Sequence, residues 1–548
     1  MKRLGDGFFA CAIAGPREGQ RYLYCITMPD GRRIWRSDPF ARMAEMRPGT
    51  ACIVCDEKPF AWSDELFLQK RRKKRWQSLP VSIYQLHLGS WRRSAKGGFL
   101  NFREIAPELT AYLRKMQYTH VLLLPICQHY KDASAGLEIT GYFAVDSRHG
   151  TPEDFKFLVN QLHHIGVGVL LGWLSAGFAG GAGGLERYDG GCVYEKSDDA
   201  KCSPGRGLVP FDHESPVVQS FLLSNAVYFL EEYHVDGFCL EDVSSMIYMQ
   251  RGAAPGSKLD LAAIGFLQKF TQMLSSHFPG CVAIAREDTA YPLMTHPVEE
   301  GGLGFTWKWN PRFGGNAQSA LLLPLERRVC QLALPLFSAF SENFLFPLSY
   351  DLEQQPLLQG MRVSYGQSFS AFRALLAYQF ALPGKKAIFM GLDFAPDREW
   401  SCMESLPWFL LGYDAHRQLQ GFVCTLNQLY QASRPLYQME SAGGFARLEV
   451  SGGAAGAMAF LRSARPWGGR VKQMLCVFHF GEKPALVTIC LPGPGMLRER
   501  LHTAHEKYGG PGALTEKELR VDGRSGGRIA LWLPPLCSVY YDYERENG

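Results

Sequence analysis

Two hydrophobic rhythms divide the chain. From residue 1 to about 78, apolar and polar positions alternate, as in Arg21-Tyr-Leu-Tyr-Cys-Ile-Thr-Met28, a Pro29-Asp-Gly31 turn, and Arg33-Ile-Trp35. Period two around a tight turn predicts hairpins, hence a small β-sandwich. From Val81 short apolar runs alternate with helical ones. Val81 to Trp91 is expected to be a strand and a turn; Thr119–Pro125, Val167–Trp173, Cys281–Ala285 and Lys385–Gly391 are expected strands. An amphipathic run, Ser220–Tyr233, feeds the short strand Gly237–Leu240, which ends in Glu241 and Asp242. Strands separated by helices predict a parallel sheet, and this many favour a closed (β/α)₈ TIM barrel over an open sheet. From about Tyr437 short alternating strands return, among them Gln473–Phe480, Ala485–Leu491 and Ile529–Leu533. The expected fold is multidomain α/β: an N-terminal β-sandwich (1–78), a barrel (79–436) and a C-terminal β-sandwich (437–548).

Composition narrows the function classes. A chain of 548 residues that is 46% hydrophobic can bury large cores, and a net charge of +5 does not argue for nucleic acid. The basic run Lys70–Arg75 is expected to be a solvated linker. Fifteen cysteines without framework spacing predict free thiols, a reducing compartment and a cytoplasmic location. Cys192 and Cys202 are not spaced as a metal site, and no cofactor is called for. Phe8–Ala14 is expected to be an early strand rather than a signal segment. No window reaches the ~18 apolar residues of a membrane span. Gly177–Gly184 lacks the Lys-Ser/Thr of a phosphate cradle and is expected to be a loop, and His163-His164 is expected to be solvated or capping on a helix.

Acids at the tip of a barrel strand are where such folds place catalytic groups. The run Asp236-Gly-Phe-Cys-Leu-Glu-Asp-Val-Ser-Ser-Met-Ile-Tyr248 resembles the nucleophile strand of the glycogen (1,4-α-glucan) branching enzymes of the α-amylase superfamily, Asp-Gly-Leu-Arg-Val-Asp-Ala-Val-Ala-Ser-Met-Leu-Tyr. Further stretches carry the same resemblance nearly end to end: Ile83-Tyr-Gln-Leu-His-Leu-Gly-Ser-Trp91, Gly301-Gly-Leu-Gly-Phe305, Lys308-Trp-Asn310 and Pro347-Leu-Ser-Tyr-Asp351. The N-terminal stretch resembles the family's glycan-binding-related module.

The resemblance implies retaining glucan transfer, which needs a nucleophile and an acid roughly 5–5.5 Å apart. Here the nucleophile position is Glu241, one methylene longer than the family's Asp, and the family's Arg two residues earlier is Cys239. The acid position is Arg286, a permanent cation unsuited to proton donation. Glu287 follows it, and strand alternation points it to the other face. Asp351 keeps the transition-state-stabiliser position, but the substrate-binding His before it is Tyr350. The family's Asp-Trp-Val-Pro-Gly-His-Phe reads Gly172-Trp-Leu-Ser-Ala-Gly-Phe178, so both Asp and His are glycine, Gly172 and Gly177. The stacking Tyr of Ser-Trp-Gly-Tyr-Gln is Leu137. Trp307, Trp309 and Trp400 are candidates either for a glycan groove or for core.

These departures fall on one sugar subsite and remove several transition-state terms together. The expectation is a branching-enzyme homologue that is non-catalytic and binds α-glucan or regulates an active branching enzyme or another protein of glycogen metabolism. Two alternatives stay open: an active enzyme using Glu241, Asp351 and a displaced Glu287, and a pocket re-purposed for a small anion held by Arg286.

Overall fold

Eight strands that are buried on both sides form the centre of the molecule. The computed structural model describes residues 1–5, 8–56, 58–181, 183–196, 208–248, 257–289, 291–310, 312–349, 365–452, 456–466, 468, 471–512, 517–523 and 527–546. The strands are β1 (Ser82–Leu86), β2 (His120–Leu123), β3 (Gly168–Trp173), β4 (Gly237–Leu240), β5 (Val282–Arg286), β6 (Trp307–Trp309), β7 (Phe344–Leu348) and β8 (Lys385–Phe389). Each pairs in parallel with the next, and β8 pairs with β1, which closes the barrel. The five strands expected from apolar runs, with Gly237–Leu240, are all here. β6 and β7 are too short or too mixed to announce themselves by rhythm.

Helices cover the outside, and their starts are written locally. Before Phe102–Met116, Asn101 accepts from Glu104 N at 2.8 Å while the Glu104 carboxylate accepts from Asn101 N, a capping box. Thr151 and Asp154 do the same for Pro152–His164. Pro216–Glu232 delivers the chain to β4, as the amphipathic run predicted.

Inside the barrel the strands contribute one or two apolar side chains each: Ile83, Leu122, Leu170, Cys239, Val282 and Ile284, Trp307 and Trp309, Leu345, and Ala387. The side chains between them, such as Phe238, Leu240, Ala283 and Ala285, join the helix-facing core instead. This alternation decides which way each residue at the strand tips points.

The C-terminal unit is two antiparallel sheets, one of six strands and one of three, with Val487, Leu531, Val539 and Tyr541 in the core between them. The six-stranded sheet also packs on the barrel helix Tyr365–Ala381: Ser538 Oγ donates to Ala374 O at 3.2 Å and Arg462 to Ala381 O at 2.8 Å. The N-terminal stretch is β as expected, with Lys2–Gly5 against Phe8–Ala10, Arg21–Tyr22 against Cys52–Ile53, and Tyr24–Thr27 against Arg33–Arg36. These strands of two to four residues form separate ladders among the described residues rather than two continuous sheets. They lean on the barrel: Phe40 packs edge-on to Phe221, and Arg36 Nε donates to Tyr188 O at 3.0 Å.

Two expectations are corrected. The basic run is not a solvated linker: Glu65–Arg72 is helical, and Arg71 is buried against Asp236 at 2.8 Å. His163 is neither solvated nor capping but wholly buried between two carboxylates, because its helix face turns onto the barrel floor. His164 meets Ser63 Oγ at 2.8 Å. Part of the glycine-rich loop is ordered as a strand, Gly177–Ala179, paired with Leu208–Pro210.

Candidate active site

The C-terminal tips of β4, β5 and β6 bring three inward residues into a row. Cys239 pairs across with Ile284, so the next inward pair is Glu241 and Arg286, and Arg286 in turn pairs with Trp309. Arg286 Nη1 donates to Glu241 Oε2 at 3.1 Å, and its guanidinium lies over the Trp309 ring, 5.5 Å from the centroid. Glu241 is buried, with 6% of its surface exposed, and its other oxygen, Oε1, has no hydrogen-bond partner among the described residues. Asp242 next to it takes a left-handed conformation (φ 57°) and leads the short helix Val243–Ile247. Below them Cys239 is fully buried; burial, and then the Glu241 charge, push its thiol well above the usual range, so it is a neutral core residue.

Glu287 faces away from this row. Its buried carboxylate lies 2.8 Å from Lys308 Nζ, and Lys308 also donates to Tyr291 O at 3.0 Å. Alternation accounts for the placement: Lys308 is the outward residue between inward Trp307 and Trp309. The displaced-acid assignment of Glu287 is therefore corrected; a carboxylate on the outer face, held by a buried ammonium, does not reach a sugar at the barrel mouth. Trp307 and Trp309 are each 1% exposed and fill the barrel interior, so they are core and not a glycan groove. Trp400 is half-buried and donates from Nε1 to Ser90 Oγ at 2.9 Å. Arg286 gives Glu241 an Nη1 donor, and its side chain is 26% exposed.

At Gly172 an added Cβ would stand 3.0 Å from Pro125 Cδ. At Gly177 it would stand 2.5 Å from the Val209 carbonyl oxygen, a contact with backbone. Chain has closed over both positions. Sequence reasoning missed Pro125 and Val209 in this role, since neither carries chemistry; the signal available was the pair of glycines itself. Beside the tips of β1 and β2 a cavity of about 20 Å³ is lined by His87, His129, Asp146, Arg148 and His149. That is room for about one water. Burial pushes His87 and His129 down to about 3, and His149 to about 4, so all three are neutral imidazoles. Leu137 is half-buried. Tyr350 and Asp351 lie outside the described residues, as does Cys202.

Residues 451–544 match the alpha amylase C-terminal all-beta domain. Over 100% of this chain and 89% of the relative, the sequence is 35% identical to the 1,4-alpha-glucan branching enzyme GlgB of Oceanobacillus iheyensis. The GlgB of Aquifex aeolicus is 36% identical over 98% of this chain and 88% of its own length. The chain belongs to the 1,4-α-glucan branching enzyme family. Among solved structures, a Salmonella typhimurium protein assigned as an alpha amylase superposes with a TM-score of 0.71 at 17% identity, covering 99% of this chain and 94% of that one. The alpha-amylase of Geobacillus thermoleovorans, complexed with acarbose, gives 0.65 at 15% identity, over 87% and 100%. Both show the amylase fold. In this branching-enzyme homologue, then, the barrel frame is the family's, whereas the row at its mouth is an ion pair over a tryptophan.

Proposed function

We propose that this branching-enzyme homologue does not catalyse glucan transfer, and that it acts in glycogen metabolism by binding α-glucan or by regulating an active partner of that pathway. The observation that carries the reading is the 3.1 Å bond from Arg286 to Glu241. A guanidinium stays protonated and cannot deliver a proton to a leaving oxygen. Here it also neutralises the carboxylate standing at the nucleophile position. Loss of a general acid alone removes on the order of 10²–10⁴ in rate. The glycines at 172 and 177, with backbone or proline packed against them, support the same conclusion.

The test is branching and hydrolysis of amylose by the purified protein, beside Asp351→Asn, with glycogen co-sedimentation of the same samples. The expected result is no turnover by either protein and sedimentation with glycogen. Turnover that Asp351→Asn abolishes would overturn the reading. Absence of both turnover and sedimentation would leave regulation through a protein partner as the surviving form.

A further inference from the structure

A second cluster of charge lies under the barrel, at the strand ends remote from Glu241. His163 Nδ1 is 2.7 Å from Asp64 Oδ2, and Nε2 is 3.0 Å from Asp236 Oδ2. The His163 and Asp64 side chains have no solvent exposure and that of Asp236 has 2%. An ionised carboxylate only accepts hydrogen bonds, so both contacts are bonds only when both ring nitrogens carry protons. The geometry itself therefore calls for the imidazolium. Arg71 supplies the second full cation, 2.8 Å from Asp236 Oδ1, and His234 Nδ1 meets Asp64 Oδ2 at 3.0 Å. Two buried anions thus face two buried cations, and the part-exposed His234 stands at the edge.

The members come from different parts of the chain. Asp64 and Arg71 belong to the segment Trp62–Trp76, whereas His163, His234 and Asp236 belong to the barrel; Asp236 Oδ2 also accepts from Val169 N of β3 at 2.6 Å. Stacked rings complete the seam, Phe67 on His163 at 4.0 Å and Trp62 on His234 at 3.8 Å. At the end of the segment Trp76 joins the barrel-interior cluster and donates from Nε1 to Gly280 O at 2.7 Å. The other titratable groups facing the cluster are Lys74 and His120, towards Asp236, Cys281, towards Arg71 and Asp236, and Glu232, towards His234. His164 turns away to Ser63.

We propose that His163 is a proton-operated latch that fastens the segment Trp62–Trp76 to the floor of the barrel. Protonated, it bridges Asp64 and Asp236. Deprotonated, it turns a nitrogen lone pair towards one carboxylate and leaves the buried cluster with an excess negative charge, and the segment releases. Burial opposes the proton on His163, but the Asp236 and Asp64 charges outweigh it and hold the imidazole above its ordinary range. A group raised in the folded state contributes its full stabilisation below the unfolded value of ~6.5, and the contribution is lost as pH rises through the folded value. The latch therefore opens on the alkaline side.

The segment carries its own reporter, because Lys70, Arg72, Lys73 and Arg75 are exposed trypsin sites on or just beyond the helix Glu65–Arg72. Trypsin cleavage of the full chain would be followed from pH 7 to 10 by mass spectrometry, each rate divided by that of a free peptide of residues 62–78. The expected result is a rise of tenfold or more in the ratio, confined first to the sites at 70–75. In Asp64→Asn the rise comes at lower pH, because one of the two charges holding the proton is gone. In His163→Gln cleavage is fast already at pH 7 and flat thereafter. A flat ratio in the unaltered chain, or first cuts scattered over the barrel, would overturn the proposal. So would an Asp64→Asn profile identical to the unaltered one, which keeps the test decisive even where His163→Gln does not fold.

Discussion

Lys308 holds Glu287 at 2.8 Å on the helix-facing side of β5 and β6, one residue along the chain from Arg286 on the inner side. Two neighbouring residues thus serve two unrelated ion pairs, separated by the wall of the barrel. Replacing Glu287 by Gln leaves a buried ammonium without its counter-charge, and removing one partner of a buried pair costs ~3–5 kcal/mol. Urea unfolding of Glu287→Gln should show a loss of that size. Its behaviour towards amylose and glycogen should match that of the unaltered chain, since the side chain does not face the barrel mouth.

Arg286→Glu places the family's acid residue at its family position. No branching activity is expected from it, because two carboxylates then crowd the site from which the cation has gone, and the positions of Gly172 and Gly177 remain closed. The measurement is iodine-complex and reducing-end assays on amylose. Turnover rising above background in this single variant would show that the subsite was blocked by the arginine alone.

Gly177→Ala tests that closure directly. Its Cβ would lie 2.5 Å from a backbone oxygen of the paired strand, a contact that backbone must shift to relieve. Overpacking of this kind costs ~1–3 kcal/mol. The thermal midpoint should fall accordingly, whereas an alanine at Gly183, where nothing among the described residues lies within 4 Å, should leave it nearly unchanged.

Asp393 is fully buried and accepts from Tyr112 Oη at 2.6 Å; burial pushes its carboxyl up to about 7. Between the unfolded value near ~3.8 and that pH the folded chain binds more protons than the unfolded one, so stability falls as pH rises. Asp393→Asn removes this slope and keeps a carbonyl for the tyrosine. Denaturation midpoints across pH 5–8 should show the variant gaining on the unaltered chain up to about pH 7 and levelling off above it.

At the acid end the signs reverse. His163, His234 and Arg71 hold Asp64 and Asp236 below the usual carboxylate range against the burial that would raise them. Their contribution is complete above ~3.8 and is lost as pH falls through the folded values. Thermal midpoints should therefore drop steeply below pH 4, and the drop should be shallower in Asp64→Asn.

Much of the site was legible in the sequence because a barrel strand has a period of two. Once Gly237–Leu240 is a strand, Cys239 and Glu241 share a face; once Val282–Arg286 is one, Arg286 and Glu287 must part. Partners were less legible. Lys308 meets Glu287 because β5 and β6 are neighbours in a particular register, and no local pattern states that register. The basic run looked solvated for the same reason: Arg71 is one cation among six consecutive ones until the fold sets Asp236 against it.

By itself the sequence determined the family, the barrel with its flanking β units, and the residue types standing at each catalytic position, since these follow from local periodicity and from motifs read along the chain. Tertiary structure alone decided that Arg286 closes on Glu241, that Pro125 and Val209 take up the space beside the two glycines, and that His163 lies between Asp64 and Asp236. Those contacts join residues between 32 and 99 apart in the chain. Whether such groups meet is set by how strands align around the barrel and helices pack on it, a property of the whole chain rather than of any stretch of it.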